Sequence, residues 1–210
     1  MDGTIVDTEP YWMAAEVELV TSHGGQWGHE DGLMLVGQGL WHSARILQSR
    51  GVSLSEDEII QTLTGKVSEQ VRREVPWRPG ARELLLALRE RGIPTALVTM
   101  SLRSLATLVV ESIDFPAFDT IVTGDDVTHA KPHPEPYLRA AELLGVAIDE
   151  CVAIEDSSTG LASAVASGAF SIGVPHMVPI AASPSHTLWP SLEGRTADDL
   201  VAAFQSGHLA

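Results

Sequence analysis

From about residue 79 onward, short apolar runs alternate with amphipathic helical stretches, and this rhythm restricts the fold more than any other feature. Thr95-Ala96-Leu97-Val98-Thr99, Thr120-Ile121-Val122-Thr123, Val152-Ala153-Ile154 and Ser171-Ile172-Gly173-Val174 read as strands. Between them the spacing predicts helices. One carries Leu84, Leu85 and Leu88 on one face and stops at Gly92. Others run from Ser104 to Ser112, from the Pro134/Pro136 turn to Leu144 with Gly145 as the stop, and from Gly160 to Ser167. Thr196 opens a closing helix. Links this short make the strands parallel and place helices on both sheet faces. The expected class is α/β, a doubly wound, Rossmann-like parallel sheet. Residues 175–194, rich in Pro and Ser, read as an irregular loop.

Residues 11–78 have a different texture and read as all-helical. Tyr11 to His23 forms a helix ended by Gly24-Gly25, and Leu40 to Arg50 a second that stops at Gly51. Ser55 and Glu58 make a capping box that opens a third helix over 56–73. The expected division is a core of residues 1–10 and 79–210, with a small helical insert over 11–78.

Composition removes several function classes. A net charge of −15 opposes docking on nucleic acid or anionic lipid. No apolar run approaches the ~18 residues of a membrane span. The lone Cys151 suits a reducing compartment and sits in an apolar run, where a packing role is expected. With no secretory leader pattern at Met1, the expected location is cytoplasmic, and the expected state is a monomer. Phosphate-loop, dinucleotide, Gly-x-Ser-x-Gly and zinc spacings are missing. His129 and His133 read as solvated loop histidines, and Asp125 and Asp126 as turn-shaping residues. The five tryptophans, Trp12, Trp27, Trp41, Trp77 and Trp189, read as packing residues, with a substrate-facing alternative for Trp41 beside Gly37-Gln38-Gly39.

In an open parallel sheet, ligands bind beyond the carboxyl ends of the strands. The strand ends here carry Thr99-Met100-Ser101, then Lys131 past the Gly124-Asp125-Asp126 loop, then Glu155-Asp156-Ser157. The opening loop supplies Asp2-Gly3-Thr4. Each has a plain structural reading: Glu155 and Asp156 as helix caps, Thr99 as a turn hydroxyl, Lys131 as a surface lysine, Asp2 as a terminal residue. Together they suit phosphate chemistry. Carboxylate oxygens suit a hard cation such as Mg2+. Thr99 and the amides of Met100 and Ser101 can donate to phosphate oxygens, and Lys131 can neutralise phosphate charge.

These four segments, in this order, resemble the haloacid dehalogenase-like superfamily, in particular its phosphatase and phosphoglucomutase-like branch with a helical cap. The resemblance implies phosphoryl transfer through an aspartyl-phosphate. Asp2 would be general acid and base, and Asp2, Glu155 and Asp156 the Mg2+ site. Thr99, Met100, Ser101 and Lys131 would hold the phosphoryl group of a small phosphorylated metabolite. It also implies a central strand whose terminal aspartate, the nucleophile, would stand immediately before Met1. An aspartate at position 2 points to phosphoester chemistry rather than dehalogenation. A hydrolase is the expectation, with a phosphosugar mutase and a catalytically silent phosphate-binding protein as alternatives.

Overall fold

The computed structural model describes residues 1–208. Its first half holds four helices: α1 (Glu9–Ser22), α2 (His29–Leu33), α3 (Leu40–Ser49) and α4 (Glu56–Arg73). α4 packs on α1 and α3, and also on α6 (Arg103–Glu111) of the second half. The capping box forms as the sequence implies: the Glu58 amide donates to Ser55 Oγ at 3.3 Å, and the Ser55 amide to Glu58 Oε2 at 2.9 Å. α1 starts at Glu9, two residues before the sequence expectation, because Pro10 fits the first helical turn. The helix α2 was not foreseen; five residues are too few to show a periodicity.

The second half runs α5 (Ala81–Glu90), β1 (Ala96–Val98), α6, β2 (Thr120–Val122), α7 (Glu135–Leu144), β3 (Val152–Glu155), α8 (Ser158–Ser167), β4 (Phe170–Gly173), β5 (Thr187–Leu188) and α9 (Ala197–His208). All strand pairs are parallel, as the alternation demands. Leu97 pairs with Ile121, Ala153 with Ser171, and Gly173 with Leu188. β5 lies inside the stretch expected to be irregular. Two residues carry no strand signature, and tertiary contacts create this one. The Trp189 amide donates to the Gly173 carbonyl at 2.9 Å while its ring is buried.

The sheet is in two pieces, β1 with β2 and β3-β4-β5. A cavity of about 510 Å³ lies between them, lined by Ala96–Val98 of β1 and Val152–Ile154 of β3. α7 packs on β1 and β2, and α8 on β3 and β4. The connections between the halves are tied together. Arg78 Nη1 donates to His176 Nδ1 at 2.6 Å, and His176 Nε2 donates to Asp7 Oδ1 at 2.7 Å.

Gly80 shows where the backbone leaves no choice. Its φ is +79°, and a Cβ there would stand 2.1 Å from the Leu192 carbonyl oxygen. The obstacle is backbone, so it cannot rotate away. Gly80→Ala should therefore lower stability by about 2–3 kcal/mol, and the melting temperature by roughly 5–10 °C. An unchanged melting curve would show that this approach is not required.

Candidate active site

The opening loop folds back on itself. The Gly3 amide donates to the Val6 carbonyl at 2.8 Å, and the Ile5 amide to the Met1 carbonyl at 2.8 Å. Gly3 has φ +70°, and a Cβ there would collide with Asp156 Oδ2 at 2.1 Å. Only a glycine lets this loop lie against Asp156. Thr4 completes the contact by donating its hydroxyl to Asp156 Oδ1 at 2.9 Å.

Asp2 is held from two sides. Its Oδ1 accepts from Thr8 Oγ1 at 2.5 Å and from Trp12 Nε1 at 3.3 Å. Its Oδ2 accepts from Ser101 Oγ at 2.7 Å and lies 3.4 Å from Thr99 Oγ1. Thr8 precedes α1 but does not cap it with its side chain, because that hydroxyl is directed to Asp2. Thr99 ends β1, its amide donating to Val122 O at 2.9 Å and its hydroxyl accepting from the Ser101 amide at 3.1 Å.

Lys131 is no surface lysine. Its Nζ donates to Glu155 Oε1 at 2.5 Å, Val98 O at 3.1 Å and Tyr137 Oη at 3.4 Å. The Lys131 and Glu155 side chains are only 8% and 7% exposed. Tyr137 also donates to Glu155 Oε1, and burial followed by the charge of Glu155 raises its phenol well above the usual range. Gly160 leaves room for this pair, since a Cβ there would stand 2.0 Å from Glu155 Oε2.

Ser157, rather than Glu155 or Asp156, caps α8, its Oγ accepting from the Gly160 amide at 3.1 Å. Both acids are thereby freed from the plain capping role. Burial, and then the neighbouring Glu155, push the Asp156 carboxyl up to about 6. A cation beside it would hold it ionised. The site offers oxygen donors of the kind a hard cation takes. They do not form a cluster of three carboxylates, however. Among the described residues the group with mutually close ligand atoms is His129, His133 and Glu135, not Asp2, Glu155 and Asp156. The Asp2 carboxylate is turned to Thr8, Trp12 and Ser101, and Glu155 Oε1 to Lys131 and Tyr137. That leaves Asp156 as the side chain best placed for a metal.

Asp2, Thr99, Ser101, Lys131, Glu155, Asp156 and Ser157 line one cavity of about 110 Å³, together with Met100 and residues of the helical half, while Thr4, Thr8 and Tyr137 support it as hydrogen-bond partners. The loop before α3 closes over it: Gly37, at φ +72°, packs so near Ser157 that a Cβ would stand 2.7 Å from its hydroxyl. The sequence reading missed Thr8, Glu9, Glu16 and Tyr137 and took Trp12 for a packing residue; all five contact or line this site. Glu9, Trp12 and Glu16 fall at positions i, i+3 and i+7 of α1. Two acids on a helix face that also buries Ala15 and Leu19 were the available signal.

Other expectations sort themselves by contact. Asp125 and Asp126 shape the turn after β2, both accepting from Thr123 Oγ1 at 2.6 Å. Trp27 and Trp189 are buried. Trp41 is 37% exposed, donates to Asp57 Oδ1 at 3.2 Å and is not part of the cavity wall, so it neither packs in the core nor faces the site. His129 and His133 are exposed, but Glu135 gives them a partner the sequence did not suggest. Its carboxylate is already engaged by the amides of Thr128 and His129, at 2.7 and 2.9 Å. Cys151 is half-buried beside a small cluster that includes Ala153 and Tyr137.

A parallel α/β core with carboxylate, hydroxyl and lysine side chains at its strand ends, covered by a helical insert, defines a phosphoryl-transfer type of hydrolase site. The chain belongs to the haloacid dehalogenase-like hydrolase family, whose model matches residues 1–174. Hexitol phosphatase B of Escherichia coli is 29% identical over 185 residues, covering 83% of this chain and 81% of the relative. A phosphorylated carbohydrates phosphatase of Thermotoga maritima is 30% identical over 173 residues, covering 80% and 79%. The crystal structure of CbbY from Rhodobacter sphaeroides in complex with phosphate superposes with a TM-score of 0.85 at 26% identity, covering 96% of each chain.

Proposed function

We propose that this chain is a cytoplasmic Mg2+-dependent phosphatase that hydrolyses a small phosphorylated metabolite through an aspartyl-phosphate. The observation that carries this reading is the Asp2 carboxylate. It is held by Thr8, Trp12 and Ser101 at the wall of a cavity shared with Thr99, Lys131 and Asp156. The names of the relatives, which act on hexitol phosphates and phosphorylated carbohydrates, support a small substrate.

In this reading the nucleophile is an aspartate at the carboxyl end of a strand in the space between β1 and β3, supplied in the test below by an added segment. Its carboxylate oxygen forms the bond to phosphorus as the ester oxygen departs. Asp2 gives that oxygen its proton, then takes one from the water that splits the aspartyl-phosphate and releases phosphate. Thr99, Ser101 and the Met100 amide hold the phosphoryl oxygens, and Lys131 spreads its charge over them. Asp156 and the Asp2 main-chain carbonyl would hold Mg2+, which when bound neutralises charge developing on the phosphoryl oxygens. Glu155 acts from behind by fixing Lys131. The helical insert excludes bulk water.

The test is phosphate release from an aryl phosphate by the chain carrying an apolar strand ending in aspartate ahead of Met1. Turnover should require Mg2+ and stop with EDTA. Asp2→Asn should lower it by about 10²–10⁴-fold. Ending the added strand in asparagine should abolish it. Turnover unaffected by Asp156→Ala would remove the metal assignment.

A further inference from the structure

The loop that carries Lys131 gathers two histidines and a carboxylate on the surface. His129 and His133 flank Lys131 on either side, and Glu135 opens α7. His129 Nδ1 lies 2.7 Å from Glu135 Oε2, and His133 Nδ1 lies 4.0 Å from the same oxygen. The two imidazole rings are tilted by 30°, with centroids 4.5 Å apart. One ligand atom from each of the three residues lies within 4.8 Å of the other two.

The carboxylate is fixed in advance. The Thr128 amide donates to Glu135 Oε1 at 2.7 Å and the His129 amide to Oε2 at 2.9 Å, so each oxygen keeps a second lone pair. The His133 carbonyl accepts from Ser163 Oγ of α8 at 2.6 Å. Pro132, Pro134 and Pro136 restrict the backbone around the ligands, so little freedom is left to lose on binding. Among the described residues the ion pairs of Glu135 are with these two histidines, and no lysine or arginine competes for it. Both rings are exposed, so a hydrated ion reaches them without opening the fold. Ligand atoms about 2.0–2.2 Å from one tetrahedral ion stand roughly 3.3–3.6 Å apart, and the observed 2.7 and 4.0 Å straddle that spacing.

We propose that His129, His133 and Glu135 form a surface site for a divalent transition-metal ion such as Zn2+, with water completing the coordination. Two imidazoles and one carboxylate suit Zn2+ and disfavour Mg2+, which takes oxygen donors. The site shares no residue with the Asp156 region and differs from it in metal preference. The ion takes the place of the proton between His129 Nδ1 and Glu135 Oε2, and that ring then carries its proton on Nε2. His133 Nδ1 gives up its 3.2 Å bond from the Glu135 amide, an exposed donor that water can satisfy. The bound ion clips together the two flanks of the loop that delivers Lys131 to the cavity.

Calorimetric titration of Zn2+ into the untagged chain, in excess Mg2+, should show binding with a Kd below about 100 μM. His129→Ala, His133→Ala and Glu135→Gln should each weaken it by about tenfold or more. In NMR spectra Zn2+ should shift the ring signals of two of the eight histidines, and the alanine variants should assign them to His129 and His133. Circular dichroism of each variant separates lost binding from lost folding. Weaker binding than this, undiminished affinity in folded His133→Ala, or shifts centred on other histidines would overturn the inference. Each of those results leaves the phosphatase reading standing, since phosphate release does not enter the measurement.

Discussion

Lys131→Met should destabilise the fold by about 3–5 kcal/mol, because it strands a buried carboxylate. Glu155 has lost its water, and its Oε1 depends on the Lys131 ammonium at 2.5 Å and on the Tyr137 hydroxyl. Methionine keeps the length of the stem and removes the charge. Tyr137 alone cannot replace a full positive charge, so Glu155 must either bind a proton or open the site to water. Each alternative costs free energy in the folded state only. The companion experiment is the double variant Lys131→Met, Glu155→Gln, in which no buried charge is left over. It should recover at least about 2 kcal/mol of the single variant's loss in urea denaturation. Equal losses in the single and double variants would mean that the ion pair is not what makes Lys131 structural. In the chain carrying the added strand, phosphate release should fall by orders of magnitude in both, since neither has the ammonium.

The second large effect is on the pH dependence of stability. Burial, and then the surrounding carboxylates Asp2, Asp156, Glu16 and Asp7, raise the Glu9 carboxyl from 4.5 to about 8. Burial likewise raises Glu16 to about 7, opposed by its bond from Trp27. A raised carboxyl binds its proton more tightly in the folded chain than in the unfolded one. Its contribution is therefore fully present below pH 4.5 and is lost as pH rises to about 8, so stability should fall across that window. For Glu9 the span corresponds to on the order of 5 kcal/mol, at about 1.4 kcal/mol per pH unit. Glu9→Gln removes this share. The variant should overtake the parent at pH 8.5 and lose its advantage at pH 5. Parallel stability curves for parent and variant between pH 5 and 8.5 would refute the assignment of a buried, isolated Glu9.

How much of this was legible beforehand depended on the range of the interaction. The Ser55–Glu58 box and the Thr123–Asp126 turn are closed by residues three apart, so their side chains announce them. The same holds for Thr196, whose hydroxyl accepts from the Asp199 amide at 3.2 Å. β5 could not be seen, because its two residues become a strand only by lying against β4. Trp41 was misjudged for a related reason: position along a helix does not say which face meets the core. Glu9 was overlooked because an acid in the first turn of a helix has an ordinary explanation in the helix dipole. Nothing local reveals that this one is enclosed by Asp2, Asp156 and Glu16.

The site divides in the same way. Residue types and their order along the chain pointed to Asp2, Thr99, Lys131, Glu155 and Asp156, and the structure brings all five to the wall of one cavity. Their partnerships were not. Thr4 reaches Asp156 across 152 residues, and Ser101 reaches Asp2 across 99. Lys131 is paired with Glu155, and Asp156 accepts from Thr4 instead. Hydrophobic periodicity and capping are set by neighbours in the chain and survive as patterns in the letters. Which carboxyl is buried, which is neutralised and which is left facing an empty wall are properties of desolvation and of charges brought together from distant segments, and only the folded chain settles them.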